Sequence, residues 1–315
     1  MCRCPPLVMT EGVADVDGAV PHLRQGPAHL EGEVFMTTID AHVHVWDLSV
    51  RDQDWLTGPE LAPLRRDFTL DDLRPQATAV GVDASVLVQT ICVPEETPEY
   101  LTLASGDRLV AGVVGWTDLT SPAVADALAE LCALPGGDRL VGIRHQVQSE
   151  DAPDWLLRPA VDRGLAAVAS AGLAYDLVLR PEQLSSAVEV VRGRPELTFV
   201  LDHLGKPPLR PRRQDTWAAD LRALARLPNT VAKLSGLVTE ADWHTWSLAE
   251  LRPFVSVALE AFGPRRLMFG SDWPVCTLAA DYGQVVATSR ELLADLSEHE
   301  RKEVLGGTAA RVYGL

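Results

Sequence analysis

The sequence predicts an α/β protein folded as a single-domain (β/α)8 TIM barrel, and three observations carry that expectation. Short apolar runs alternate with helix-length segments eight times over residues 38–274. Most of these runs are rich in Val, Leu and Ile at consecutive positions, as strands covered on both faces require. The polar and titratable residues collect at the C-terminal ends of the runs, which is where a barrel of this type carries its chemistry.

The strand candidates in order are "TIDAHVHVW" (38–46), "ASVLVQT" (84–90), "LVAGVVGWT" (109–117) and "LVGIRHQV" (140–147), then "AYDLVL" (174–179), "LTFVLDHL" (197–204), "TVAKLSGL" (230–237) and "LMFGSDWP" (267–274). Between them, "SPAVADALAELCAL" (121–134) opens with Ser121 as N-cap and Pro122 at the first helical position. "RPAVDRGLAAVASAG" (158–172) stops at Gly172, a natural end for a helix, and "RPEQLSSAVEVVRGRP" (180–195) runs from a proline to a Gly-Arg-Pro. Alternation of this kind implies right-handed crossovers and a parallel sheet. A doubly wound open sheet would call for a glycine-rich turn after the first strand, and "HVHVWDLS" is not one. Residues 1–35 differ from the rest: they are rich in Gly, Pro and scattered charge without a period, and read as a flexible leader, with Met36 as a candidate true start and the barrel occupying 36–315.

At 315 residues and 47% hydrophobic, the chain is long enough for a large buried core. Its formal charge of −16 argues against nucleic acid or an anionic membrane as partner, since both are bound through basic patches. The five cysteines are irregularly placed and suggest no disulfide framework; Cys2 and Cys4 lack a second pair at zinc-ribbon spacing. With no secretory signature and no membrane-length apolar run, a cytoplasmic protein is expected. Oligomeric state is left open.

His42 and His44 lie two apart on the first strand and so share a face, with Cα atoms roughly 6.5–7 Å apart, close enough to converge on one ion or one carbonyl oxygen. Val43 and Val45 then point outward. His203 follows "TFVLD" and precedes the sharp exit "LGKP". Asp272 ends "LMFGSDWP", where Gly270 permits close backbone approach and Pro274 ends the strand. Four of the eight histidines fall on strand ends, a bias that loops and helices would not produce.

Taken together, "IDAHVHVWD", "FVLDHLGKP", "KLSGL" and "LMFGSDWPV" resemble the strand-end motifs of the amidohydrolase superfamily, and more narrowly its sugar-lactonase branch of fuconolactonases and rhamnonolactonases. A more distant likeness is to lactonases of pyrone dicarboxylate. The resemblance covers Ile39 to Leu315 and implies that His42, His44, His203 and Asp272 line the reaction centre. Dinuclear members carry a carboxylated Lys on the fourth strand, where this chain has Arg144-His145, and many carry a His on the fifth, absent from "AYDLVL". A dinuclear site is therefore not expected. One Zn²⁺ on His42, His44, His203 and Asp272, or metal-independent catalysis, are both left open. The C-terminal "TAARVYGL" has Thr308 where the family pattern has Asn.

The expected activity is hydrolysis of a sugar-derived lactone to the hydroxy acid by water that Asp272 activates, with the histidines stabilising the oxyanion directly or through the ion. The rival readings are a metal-dependent decarboxylase or amidase of the same superfamily, and a catalytically silent ligand-binding barrel. If metal is used, activity should fall in acid as histidines protonate, and a rate flat to about pH 5 would argue against it. A dicarboxylate substrate would call for several arginines, whereas the strand ends supply only Arg144, so a neutral polyol ring bound by Gln89, Trp116, His145 and Trp273 is expected. Arg144 and His145 cannot both face the lumen. The sequence reading places His145 there and leaves Arg144 to a structural ion pair.

Overall fold

The computed structural model describes residues 37–209 and 214–315, so the leader, with Met36, Cys2 and Cys4, lies outside the described residues. All eight expected strands form: β1 (Ile39–Val43), β2 (Ala84–Val88), β3 (Val110–Gly115), β4 (Leu140–His145), β5 (Ala174–Leu177), β6 (Phe199–Leu201), β7 (Thr230–Leu234) and β8 (Leu267–Phe269). They pair in parallel in sequence order in one 8-stranded sheet. A bridge from Val43 to Trp273, with His44 N–H donating to the Trp273 carbonyl at 2.7 Å, brings the last strand back to the first. This is the expected (β/α)8 barrel.

The helices are α1 (Leu70–Ala79), α2 (Glu96–Gly106), α3 (Val124–Ala133), α4 (Pro159–Ser170), α5 (Leu184–Gly193), α6 (Gln214–Ala225), α7 (Leu237–Glu240), α8 (Leu248–Phe262), α9 (Tyr282–Leu292), α10 (Glu298–Lys302) and α11 (Thr308–Tyr313). Pro159 opens α4, and Gly172 follows its end with φ 72°, as the sequence suggests. Ser121 does not cap α3; its hydroxyl accepts the Ala123 N–H one turn earlier, and the helix begins at Val124. No helix among the described residues is long and apolar enough to cross a membrane.

The apolar side chains divide into two cores. The larger lies between sheet and helices and holds Val43 and Val45, which do point outward. The smaller fills the base of the barrel with Ile39, Ala41, Val86, Val114, Val200 and Met268, closed below by Ala309 and Tyr313 of α11. A register shift between Asp40 and Val43 marks a bulge in β1. It lets Ala41 fill the base while the next residue, His42, still turns inward. The strands are shorter than the apolar runs. The polar ends of the runs leave the ladder early, as in the tight turn Asp202–Gly205 after β6. Those turns, at the C-terminal rim, are what aim the functional side chains.

Candidate active site

Four described residues other than glycine have positive φ: His203 (54°), Leu204 (52°), Lys206 (54°) and Asp272 (62°). Backbone strain of this kind, costing on the order of 1–3 kcal/mol each, collects where a side chain must be aimed rather than merely packed. Here it aims His203 and Asp272 at one another. Neighbouring glycines make room: a Cβ at Gly270 would stand 2.7 Å from the His42 Cβ, and one at Gly236 would stand 2.6 Å from His203 Nδ1.

The four residues singled out from the sequence converge. Asp272 Oδ1 lies 3.5 Å from His44 Nε2, 3.7 Å from His42 Nε2 and 3.9 Å from His203 Nε2, and His42 and His44 approach to 3.1 Å through Nε2. Each ring is held from behind. His44 Nδ1 donates to the Val88 carbonyl at 2.7 Å, and because a carbonyl only accepts, that proton is fixed on Nδ1. His203 Nδ1 meets the Ser235 hydroxyl at 2.9 Å. His42 Nδ1 faces Lys233 Nζ and Asp202 Oδ1, each at 3.3 Å.

Behind these rings sits a buried set of charges that the sequence reading had not assembled. Lys233 Nζ lies 2.6 Å from Asp176 and 3.0 Å from Asp202, and Arg144 Nη1 lies 2.9 Å from the other Asp202 oxygen. Tyr313 reaches up from α11 to donate to Asp176 at 2.8 Å. Strand register explains the grouping: Arg144 pairs with Asp176, Asp176 with Val200, and Val200 with Val231, so Asp202 and Lys233, each two residues further on, share the inward face. Arg144 therefore faces the lumen and His145 does not, the reverse of the sequence expectation, although Arg144 does make the ion pair foreseen for it. The physical reason is charge: two inward carboxylates on β5 and after β6 require inward cations on their neighbours.

Burial and these charges set the protonation states. Burial raises the Asp272 carboxyl, but His203, the hydrogen bond from His44, and the charges of His42 and His44 outweigh it and hold the group well below the ordinary carboxylate range. Burial pushes His203 down to about 4, against the pull of Asp272 and Asp202. It pushes His42 well below its ordinary value as well, Asp202 opposing and Lys233 reinforcing the shift. At neutral pH burial keeps His42 and His203 uncharged beside the ionised Asp272 carboxylate.

These groups open on a cavity of about 170 Å³ lined by His44, Trp55, Arg144, Gln148, His203 and Asp272 among others. The other expected ligand-binding residues are placed elsewhere. Gln89 is buried and spends its amide oxygen on Arg144, at 2.8 and 3.0 Å. Trp273 is adjacent to Asp272 in sequence, turns to the opposite side and packs edge-on against Phe68. Trp116 Nε1 donates to His145 Nδ1 at 3.0 Å, and His145 stacks on Trp155 with its Nε2 2.9 Å from Glu150. In their place the cavity takes Trp55, Thr90, Gln146, Gln148, Ser149 and Lys206, most of them on loops with no periodic signal to flag them.

His42, His203 and Asp272 offer ligand atoms that all lie within 4.8 Å of one another, so the group could hold a metal ion. A tetrahedral zinc with bonds of about 2.0–2.1 Å spaces its donors about 3.3 Å apart. The 3.1 Å between the His42 and His44 Nε2 atoms and the 3.5–3.9 Å from Asp272 Oδ1 to the three Nε2 atoms are near that spacing, so the donor set fits one such ion.

A model of the amidohydrolase family matches residues 39–315. The chain is 41% identical over 288 residues to an L-fucono-1,5-lactonase of Burkholderia multivorans, covering 88% of this chain and 96% of that one. It is 37% identical to an L-fucono-1,5-lactonase of Burkholderia ambifaria, over 88% and 95% of the two chains. Among solved structures, an amidohydrolase from Burkholderia multivorans with bound zinc superposes with a TM-score of 0.84 at 39% identity, over 89% of this chain and 99% of that one.

Proposed function

The chain belongs to the amidohydrolase family, and from that premise we propose that it is a lactonase, opening a sugar-derived lactone to its hydroxy acid. The observation that carries the reading is the ionised Asp272 carboxylate, 3.5–3.9 Å from three imidazole Nε2 atoms at the edge of a cavity with neutral amides. The near full-length likeness to two L-fucono-1,5-lactonases supports an aldonolactone as the substrate class.

Lactone opening needs a nucleophilic water, a polarised carbonyl and a proton for the departing ring oxygen. Asp272 takes the water proton as the oxygen attacks the carbonyl carbon, then returns it to the ring oxygen as the C–O bond breaks. His44, His203 and Arg144 line the cavity and face the oxyanion; His42, fully buried, acts behind His44. Gln146, Gln148 and Ser149 are placed to bind ring hydroxyls, with Trp55 against the apolar face of the ring. If a single zinc is bound, His42, His203 and Asp272 hold it with His44 beside them, and it supplies Lewis acidity to the carbonyl.

The test is a panel of aldonolactones, L-fucono-1,5-lactone included, followed by proton release with and without chelator. Turnover above the spontaneous rate is expected. No acceleration for any aldonolactone overturns the reading, and carbon dioxide release from an aromatic acid would point to a decarboxylase instead.

A further inference from the structure

His145 faces away from the lumen, yet its neighbours fix its ring closely. It lies parallel to the Trp155 indole, with 5° between the planes and 4.1 Å between the centroids, which sets the plane of the imidazole. Trp116 Nε1 reaches its Nδ1 at 3.0 Å. An indole N–H can only donate, so Nδ1 carries the lone pair and the neutral ring keeps its proton on Nε2. Cys92 Sγ, 3.8 Å from the same Nδ1, is the more distant neighbour there. Burial works against a second ring proton, opposed by Glu150 and Asp118. The Nε2–H is thereby aimed at Glu150 Oε1, 2.9 Å away.

Glu150 and Trp155 bracket one stretch of chain. The turn that follows β4 places Gln146, Gln148 and Ser149 on the cavity. As far as Gln148 this turn is tied to the barrel. The Gln148 N–H donates to the Val178 carbonyl at 3.1 Å, and Gln183 Nε2 donates to the Val147 carbonyl at 2.9 Å. From 149 to 154 no residue is buried, so apolar packing does not hold the chain there. Two side chains reach this stretch from around α5: Arg180, to the Glu150 carbonyl at 3.3 Å, and Ser186, to the Pro153 carbonyl at 3.4 Å. Both contacts are longer than the one His145 makes. Of the three, only His145 grips both ends, Glu150 near the start and Trp155 just past the finish.

We infer that His145 is a positioning residue for the substrate: through Glu150 and Trp155 it clasps the loop after β4 and holds Gln148 and Ser149 where they meet ring hydroxyls. It serves the ligand without touching it. The identity of that ligand rests on the lactonase reading; the clasp itself rests on geometry alone. Gln148 and Ser149 would bind substrate and transition state alike, so a loosened loop raises KM and spares kcat.

Glu150 offers the test, because its side chain is 29% exposed and can be changed without opening the core. Glu150→Ala removes the acceptor, whereas Glu150→Gln keeps an oxygen for the His145 N–H. Hydrogen exchange over residues 146–154, followed by mass spectrometry, should be about tenfold faster or more in Glu150→Ala than in wild type. Equal rates overturn the inference whether or not any lactone is turned over. With the aldonolactone turned over fastest, Glu150→Ala should raise KM about fivefold or more and change kcat by less than about twofold, with Glu150→Gln restoring KM. An unchanged KM, a fall in kcat alone, or a Glu150→Gln as impaired as Glu150→Ala overturns the positioning role. His145→Phe keeps the stack on Trp155 but has no N–H to offer; it should reproduce Glu150→Ala, and combining the two should add nothing. A failed lactone panel removes the substrate reading and leaves exchange to decide the clasp, while unchanged exchange leaves the lactonase standing.

Discussion

The backbone N–H of Asp272 donates to the carbonyl of His42 at 2.9 Å, so the two residues whose side chains meet at the centre also join the last strand of the barrel to the first. Side-chain chemistry and barrel closure can be separated only by a substitution that spares the backbone. Asn tolerates the left-handed φ of 62° at position 272, as Asp does. Asp272→Asn is therefore expected to lower kcat by about 10²–10⁴-fold, the range for loss of a general base, with Tm essentially unchanged. A kcat near the wild-type value would remove Asp272 from that role.

The acid limb of activity should lie lower than an ordinary histidine would place it. Burial favours the neutral form of His203 and moves its proton uptake to about pH 4, and it holds His42 well below its ordinary value too, while Asp272 remains ionised throughout. Protonation of His203 costs activity, so kcat/KM should hold to pH 5 and fall to half near pH 4. A limb centred near pH 6.5 would contradict the burial argument. A rate flat to pH 5 therefore does not by itself tell against metal, because burial favours the neutral forms of His203 and His42 with or without an ion.

Asp40 links stability to pH. It is buried and accepts the N–H groups of Ser271 at 2.8 Å and His42 at 3.2 Å and the Tyr282 hydroxyl at 3.0 Å, yet burial still raises it to about 6 from 3.8. Between these values the folded chain holds a proton that the unfolded chain has lost. The contribution of Asp40 to stability is thus complete below about 3.8 and is lost as pH rises through 6, an effect on the order of 3 kcal/mol. Asp40→Asn keeps an acceptor for both N–H groups. It should be at least as stable as wild type at pH 8 and should show a shallower gain in Tm between pH 8 and 5, the remainder coming from Asp176, also raised to about 6. An unchanged slope in thermal scans would refute this.

Arg144→Met takes one cation from the buried set and leaves Asp202 with Lys233 alone among the cations that flank it. Breaking one side of a buried pair costs about 3–5 kcal/mol. Urea unfolding at pH 7 should register that loss, and a change below about 1 kcal/mol would mean that Asp202 is satisfied without the guanidinium.

The barrel was legible in the sequence because strands covered on both faces are apolar throughout, and eight such runs leave few alternative topologies. The reacting residues were legible for the same reason: His42, His44, His203 and Asp272 interrupt apolar runs where a polar group needs a purpose. The ligand-binding residues were not. Trp273 follows Asp272 directly and must face the other way, an alternation that could have been applied at once. Gln146, Gln148 and Ser149 sit on a turn after β4, whose path no periodicity records. The choice between Arg144 and His145 turned on charges two strands away. Asp176 and Asp202, each a carboxylate inside an apolar run, were the signal that the lumen wanted an arginine.

Arg144, Asp176, Asp202 and Lys233 also constrain how relatives of this chain can diverge. Two carboxylates and two cations balance inside the barrel, and a single exchange at any of the four leaves one sign in excess away from water. Lineages that retain the balance can vary these positions only in compensating pairs. A lineage that loses one cation must recruit another positive charge to the same place, and a bound metal ion is one that the neighbouring histidines are already arranged to accept. Gain or loss of metal dependence among such enzymes is then a short evolutionary step, taken at the back of the site rather than at its mouth.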